Sequence, residues 1–337
     1  MIPVNLVNDA LDPVKADLQV VADRILEELA DPIAKKVVYL ITAGGKRLRP
    51  ALVLLSGHSG PSPNREALLS TAMAVELIHT ATLIHDDIID QSALRRSQPT
   101  FHHRWGTERA VLMGDYLYAT AFTLLSRLGT ADVMETMSDV CQQLCRGELR
   151  EVEARFRLDL TEQEYFEIIR DKTASLIGGC CQSGAFLAGH PPEAVRQFAE
   201  FGIQFGLAFQ IIDDCLDLTG DQREMGKSVL ADLDKGALSL PIIYLTQQLS
   251  ARERDRLFAP LRSHATDPAF LALIAKEAEA SGAIAKAQAR ARALGEAAVA
   301  ALSAVSPPPT KDEGRTGADG LAGAWHQLAE YAVSRRS

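Results

Sequence analysis

The sequence predicts an all-α fold, on three observations. Apolar residues recur at a period near 3.6 along almost all of the 337 residues. Strand-like alternation of β-branched residues between turns is hard to find. Two Asp-Asp-x-x-Asp clusters, Asp86-Asp87-Ile88-Ile89-Asp90 and Asp213-Asp214-Cys215-Leu216-Asp217, each close an apolar run. At helical i, i+4 spacing Asp86 and Asp90 share a face, as do Asp213 and Asp217.

Taken in order, residues Leu11 to Ala43 read as helix with a break near Asp31-Pro32. Gly44-Gly45-Lys46-Arg47-Leu48-Arg49-Pro50 places two glycines and three cations before a proline that opens the next helix, an arrangement suited to a phosphate. Ser56 to Asn64 reads as a loop, then Arg65 to Asp90 as a long helix with His79 two turns before Asp86, on the acidic face. Ser92 to Gly106 reads as a loop carrying Arg95-Arg96, followed by helices over Val111–Leu128 and Asp132–Phe156. Thr161-Glu162-Gln163-Glu164 is a capping box opening the helix toward Lys172-Thr173. Gly178 to Gly189 is dense in small residues, fit for close helix packing or for a ligand tail. Pro191-Pro192 starts the helix that ends at Asp217, and Leu240-Pro241 resumes apolar helix. Residues 268–302 read as Ala-rich helix, 303–320 as a flexible loop around Pro307-Pro308-Pro309, and Leu321–Arg335 as a closing helix. With no linker or repeat in view, residues 1–337 read as one domain.

Composition narrows the function. The 47% hydrophobic content supports a large core, and a net charge of −9 without a basic, aromatic-interleaved stripe argues against a nucleic-acid partner. Five cysteines without a Cys-x-x-Cys read as small buried hydrophobes in a reducing compartment. No signal peptide or membrane span is evident: the longest uncharged stretch, Thr173 to Gly189, suits a buried helix. A soluble, cytoplasmic protein is the expectation.

A single acidic triplet is commonly a solvated turn. Two of the same spacing on core-like helices point instead to hard divalent cations, and carboxylate-only ligation points to Mg²⁺ shared with substrate phosphates. Lys46, Arg49, Arg95, Arg96, Lys172 and Lys227 supply cations for diphosphates, two at once being the natural complement of six positive groups. No nucleophile with its base and no Gly-x-x-x-x-Gly-Lys-Ser/Thr loop is present. The remaining chemistry is electrostatic: stabilising charge on a leaving diphosphate beside a dry apolar wall.

GGKRLRP (44–50), IHTATLIHDDIID (78–90), RRSQPT (95–100), GDYL (114–117), KTASL (172–176), FGLAFQIIDDCLD (205–217) and GK (226–227), in this order, resemble the trans-isoprenyl diphosphate synthases. The resemblance implies an isoprenoid-synthase-type bundle of about ten or more helices around a central cavity, usually a homodimer. It implies head-to-tail (1′-4) condensation of isopentenyl diphosphate with an allylic diphosphate, giving an all-trans polyprenyl diphosphate. Carried over by position, Asp86, Asp90 and Asp213 bind Mg²⁺, roughly three ions per site, supported by Asp87, Asp214 and Asp217. Arg95, Lys172 and Lys227 hold the allylic diphosphate, and Thr173 and Gln210 turn oxygens toward the nascent cation. Lys46, Arg49, His79 and Arg96 match the isopentenyl diphosphate site. Transient membrane contact for product release is a further expectation. Two departures stand out: Ala237 occupies the position of the family's second lysine, near Lys235, and the family's Gly-Gln-x-x-Asp reads Gly147-Glu148-Leu149-Arg150-Glu151.

Product length should depend on the helix behind Asp86. Ala81 is small and Thr82 modest, with Leu77 or Ile78 next on that face, and each turn rises about 5.4 Å, close to one isoprene unit. That arithmetic, and the likeness to quinone-tail synthases, predicts about six to ten units, about C30–C50. The alternatives are a short-chain farnesyl or geranylgeranyl synthase, a class I terpene cyclase, or a regulatory synthase subunit. A cyclase's second metal motif normally differs and it has no use for Gly-Gly-Lys-x-x-Arg, while a regulatory subunit tends to lose the acids.

Overall fold

The computed structural model describes residues 10–42, 46–219, 230–263, 266–303, 305 and 317–335. Its helices are α1 (Lys15–Glu28), α2 (Val38–Thr42), α3 (Leu48–His58), α4 (Arg65–Ile89), α5 (Phe101–Trp105), α6 (Thr107–Ser126), α7 (Ala131–Ala154), α8 (Glu162–Ile169) and α9 (Ser175–Leu187). They continue with α10 (Pro192–Thr219), α11 (Ala231–Asp234), α12 (Leu240–Gln248), α13 (Ala251–Leu257), α14 (Ala259–Arg262), α15 (Pro268–Ala280), α16 (Ala283–Leu302) and α17 (Gly317–Ser334). The fold is all-α, as the 3.6 period predicts; a two-residue hairpin, β1 (Leu94–Arg95) with β2 (Gln98–Pro99), is its only sheet among the described residues.

Four boundaries differ from the sequence reading. Helix α3 continues to His58, so the loop expected from Ser56 is shorter. The Ser92–Gly106 segment folds into the hairpin plus α5, because Arg96 and Ser97 adopt left-handed φ values of 50° and 59° that close the turn. The Ala-rich 268–302 stretch is two helices, split at Gly282, whose φ of 74° suits glycine at a helix end. The loop expected over 303–320 ends sooner, since α17 begins at Gly317.

Two buried helices set the site. Asn64 caps α4 by accepting from the Ala67 amide (3.2 Å), and the helix then runs 25 residues through the core to its acids. By length and composition it could cross a bilayer, but 72% of its apolar window is buried inside the fold. Helices α9 and α10 approach so closely that a Cβ on Gly202 would lie 2.7 Å from the Gly178 Cα. The small residues of 178–189 thus serve close packing. Trp325 of α17 packs on Phe198 and Phe201 of α10 (ring centroids 5.5 and 4.9 Å), which carries the end of α17 over the second acidic cluster.

Between α8 and α9 the chain forms one π-helical turn, Arg170–Ala174, that bears Lys172 and Thr173. Its Asp171 accepts from Arg146 Nε (3.0 Å) and Arg150 Nη1 (3.1 Å) of α7. Gly147 faces the same turn: any Cβ there would strike the Lys172 backbone nitrogen.

Candidate active site

The π turn joins the two acidic clusters. Lys172 feels the charges of Asp86 and Asp90 on α4. Thr173 Oγ1 donates to Gln210 Oε1 (2.9 Å), one turn before Asp213 and Asp214 on α10. Lys172 also pairs with Glu148 (2.7 Å) and Glu151 of α7. The glutamates of the departing Gly-Glu-Leu-Arg-Glu run therefore face the site. Burial opposes the charge on Lys172, but Glu151 and Glu148 outweigh it and keep the amine protonated.

Most of the acids are met by protein groups. Burial pushes Asp86 up to about 7, with Lys172 pulling it back and Glu148 adding to the rise. Buried Asp87 accepts from Arg95 Nε (2.8 Å). Asp90 lies between Arg155 (2.7 Å) and Lys235 (3.1 Å); burial works against its ionisation, but Lys235 outweighs it and the pKa falls. Asp213 pairs with Arg335 at the end of α17 (2.7 Å), whose guanidinium also lies over the Phe209 ring (3.6 Å to the centroid). Asp214 is buried and accepts from Tyr165 Oη (2.6 Å) and Gln210 Nε2 (2.8 Å). Asp217 is half-buried, and its carbonyl accepts from the Leu230 amide (3.1 Å). Among the described residues no three acidic, histidine or cysteine side chains converge on one point as an ion site. The donor set is nonetheless all oxygen, which fits a hard divalent cation in exchange for these resident nitrogens.

A cavity of about 160 Å³ lies beside the acids, lined by Lys46, Arg47, Arg49, Arg95, Arg96 and His79 among others, with Glu76. His79 does not join the acidic group as its spacing predicts. Seven residues restore the angular position on a helix but displace it by about 10.5 Å along the axis, into this neighbouring chamber. Burial, then Arg49, Arg95 and Arg96, push its pKa well below the usual value. The neutral ring accepts from Arg49 Nη1 at Nε2 (3.1 Å), so Nδ1 carries the proton and is a donor. Arg95, expected with Lys172 and Lys227 around one diphosphate, also lines this cavity while anchored on Asp87. Lys46 bonds the Tyr331 hydroxyl and lies over its ring (4.7 Å). Lys227 falls outside the described residues.

Leu77, Ile78 and Ala81 are fully buried; Thr82 is half-buried and donates to the His79 carbonyl (2.7 Å). None of them lines the 160 Å³ cavity or a second, open groove of about 550 Å³ between α7, α9 and α10. Sequence reasoning did not find Arg155, Tyr165, Tyr331 or Arg335. The i, i+4 pair Tyr331 and Arg335 was the one local signal available.

The chain as a whole is similar to known proteins. Residues 30–277 match the polyprenyl synthetase family. The chain belongs to that family. It is 36% identical to the short chain isoprenyl diphosphate synthase of Methanothermobacter thermautotrophicus, over 76% of this chain and 81% of that protein. It is 37% identical to heptaprenyl diphosphate synthase component 2 of Geobacillus stearothermophilus, over 71% and 73% of the two chains. The crystal structure of a polyprenyl synthase from Caulobacter crescentus CB15, complexed with calcium and isoprenyl diphosphate, superposes with a TM-score of 0.90 at 30% identity, covering 98% of each chain. The chain thus has the isoprenoid-synthase fold and is a prenyltransferase that condenses isoprenoid diphosphates.

Proposed function

We propose that the protein condenses isopentenyl diphosphate head-to-tail with an allylic diphosphate, producing an all-trans polyprenyl diphosphate of about C30–C50 by the turn-by-turn argument. The observation that carries this reading is the cation-lined cavity beside the two acidic groups, which gives one diphosphate direct cationic contacts and the other a shared-metal wall. Lys46, Arg49, Arg96 and the Nδ1–H of His79 would hold isopentenyl diphosphate, with Arg95 on the wall between the two sites. Asp86, Asp90 and Asp213, supported by Asp87, Asp214 and Asp217, would hold Mg²⁺, which supplies charge neutralisation for a departing diphosphate. Lys172, with Lys227, would bind that diphosphate. As its bond to the allylic C1 breaks, the Thr173 and Gln210 oxygens face the cation left behind, and the isopentenyl double bond attacks C1. Proton loss completes the new alkene, with the departing diphosphate as the base.

The long product rests on Ala81, small and buried behind Asp86. Ala81→Phe is expected to shorten the product, and an unchanged length with lowered stability would remove Ala81 from the tail path. We further read the chain as one domain forming a cytoplasmic homodimer. Exposed Val111, Leu112 and Tyr116 of α6, with Leu149 and Val152 of α7, form the surface to be covered. The deciding assay incubates the protein with Mg²⁺, isopentenyl diphosphate and each short allylic diphosphate, and reads product mass. A hydrocarbon released without isopentenyl diphosphate would make it a cyclase; a C15 or C20 product, a short-chain synthase; no turnover, a regulatory subunit.

A further inference from the structure

A chain of hydrogen bonds links helix α8 to the reacting centre. Tyr165 Oη donates to Asp214 Oδ2 (2.6 Å), Gln210 Nε2 donates to Asp214 Oδ1 (2.8 Å), and Thr173 Oγ1 donates to Gln210 Oε1 (2.9 Å). Asp214 accepts from both Tyr165 and Gln210, so the NH₂ end of Gln210 faces Asp214 and its carbonyl end faces Thr173. The reverse amide would point its partial positive charge at a developing allylic cation, and would present two donors to Thr173.

Asp214 can impose this order only if its own orientation is fixed. It is buried, and the oxygen that Gln210 does not use is taken by Tyr165. Tyr165 is itself 3% exposed and packs edge-on against Phe166 (5.8 Å between centroids), with no bulk solvent to compete for its proton. The capping box of Thr161 and Glu164 sets the start of α8, and Glu164 directly precedes Tyr165. The aromatic therefore arrives at Asp214 on a rigid helical turn.

We propose that Tyr165 is a positioning residue for prenyl transfer: by clamping Asp214 it fixes the Gln210 amide with its oxygen toward Thr173 and the reacting carbon. This deepens the reading of the site given above and rests on it. Tyr165→Phe keeps the ring and its packing and removes one donor. The expected result is a fall in kcat of roughly tenfold to a hundredfold, the scale of a slightly misplaced reacting group, with KM for both diphosphates unchanged. In a Gln210→Leu background the same substitution is expected to cost nothing further, because the amide it positions is gone. An equal loss in both backgrounds, or no loss in either, overturns the proposal, since a purely structural role is blind to Gln210.

A readout free of turnover separates this proposal from the assigned reaction. In protein labelled with ¹⁵N-glutamine, the Gln210 side-chain NH₂ signals, identified by their loss in Gln210→Leu, are expected to shift in Tyr165→Phe; unmoved signals overturn the clamp even if the enzyme is active. In the unsubstituted protein the Tyr165 hydroxyl proton is expected to exchange slowly enough to be seen, and its absence has the same consequence. Wild-type turnover tests the reaction itself. Failure there with a shifted amide signal would change the chemistry assigned and leave the clamp standing.

Discussion

The acidic wall and the cationic chamber share helix α4, yet they handle charge in opposite ways. On the acidic side, carboxylates that would repel one another are met by protein cations: Arg155 and Lys235 on Asp90, Arg335 on Asp213, Arg95 on Asp87. In the chamber, five arginines and lysines and a neutral His79 line about 160 Å³, and burial raises the pKa of Glu76 against the pull of Arg49, Arg47 and Arg96. Positive charge outnumbers negative there, so the missing counter-charge is an anion. On the function proposed above, the acidic side would instead exchange its resident cations for metal ions, so that one diphosphate is bound directly and the other through metal, and only the second gains leaving-group assistance.

Substitutions can break this contrast. The largest effect is expected at the wall: Asp86→Asn should lower kcat by about 10²- to 10³-fold, the scale for losing one electrostatic stabiliser, while thermal unfolding shows an intact fold. A comparable loss seen only in KM for isopentenyl diphosphate would mean the two halves have been assigned the wrong way round. Arg96→Ala should raise that KM by about 10- to 100-fold, since a charge-assisted hydrogen bond is worth about 1.5–3 kcal/mol, and leave the Mg²⁺ dependence unchanged.

Lys235 sharpens the comparison more quietly. It reaches Asp90 and the Ser92 hydroxyl (3.2 Å) from two residues before Ala237, the position where the family resemblance implied a lysine. Gly236, with φ of 79°, turns the backbone between them. Lys235→Ala is expected to cost about tenfold in kcat, and adding Ala237→Lys to recover part of it, as steady-state kinetics would show.

The smallest effect lies outside both halves, at the start of α8. The Thr161 amide and hydroxyl, then Arg157, hold Glu164 at about 2, below the ordinary carboxylate value. A depressed folded-state pKa contributes stability above about 4.5 that fades as pH falls toward 2. Thr161→Ala should lower the melting temperature by about 1–2 °C at neutral pH, with the gap to wild type closing below pH 4.5.

Much of this was legible in the chain itself. The capping box at Thr161, the long helix ending at Asp90 and the acid spacing on α10 all depend on residues three or four positions apart, where helical geometry alone sets who meets whom. The hairpin at Arg95-Arg96 was not, because it depends on left-handed backbone at Arg96 and Ser97, residues without a glycine's signature. His79 was half legible: the period gave its face but not the chamber that face meets.

The sequence by itself determined the helical class, the two acidic triplets and the stock of cations, since each follows from local periodicity and composition. Which cation sits on which acid was decided only in three dimensions. Lys46 meets Tyr331 across 285 residues, Arg155 meets Asp90 across 65, and Tyr165 meets Asp214 across 49. Contacts of that range follow from how α7, α8 and α17 pack on α4 and α10. Packing is fixed by the shape of whole buried faces, which no window of a few residues contains.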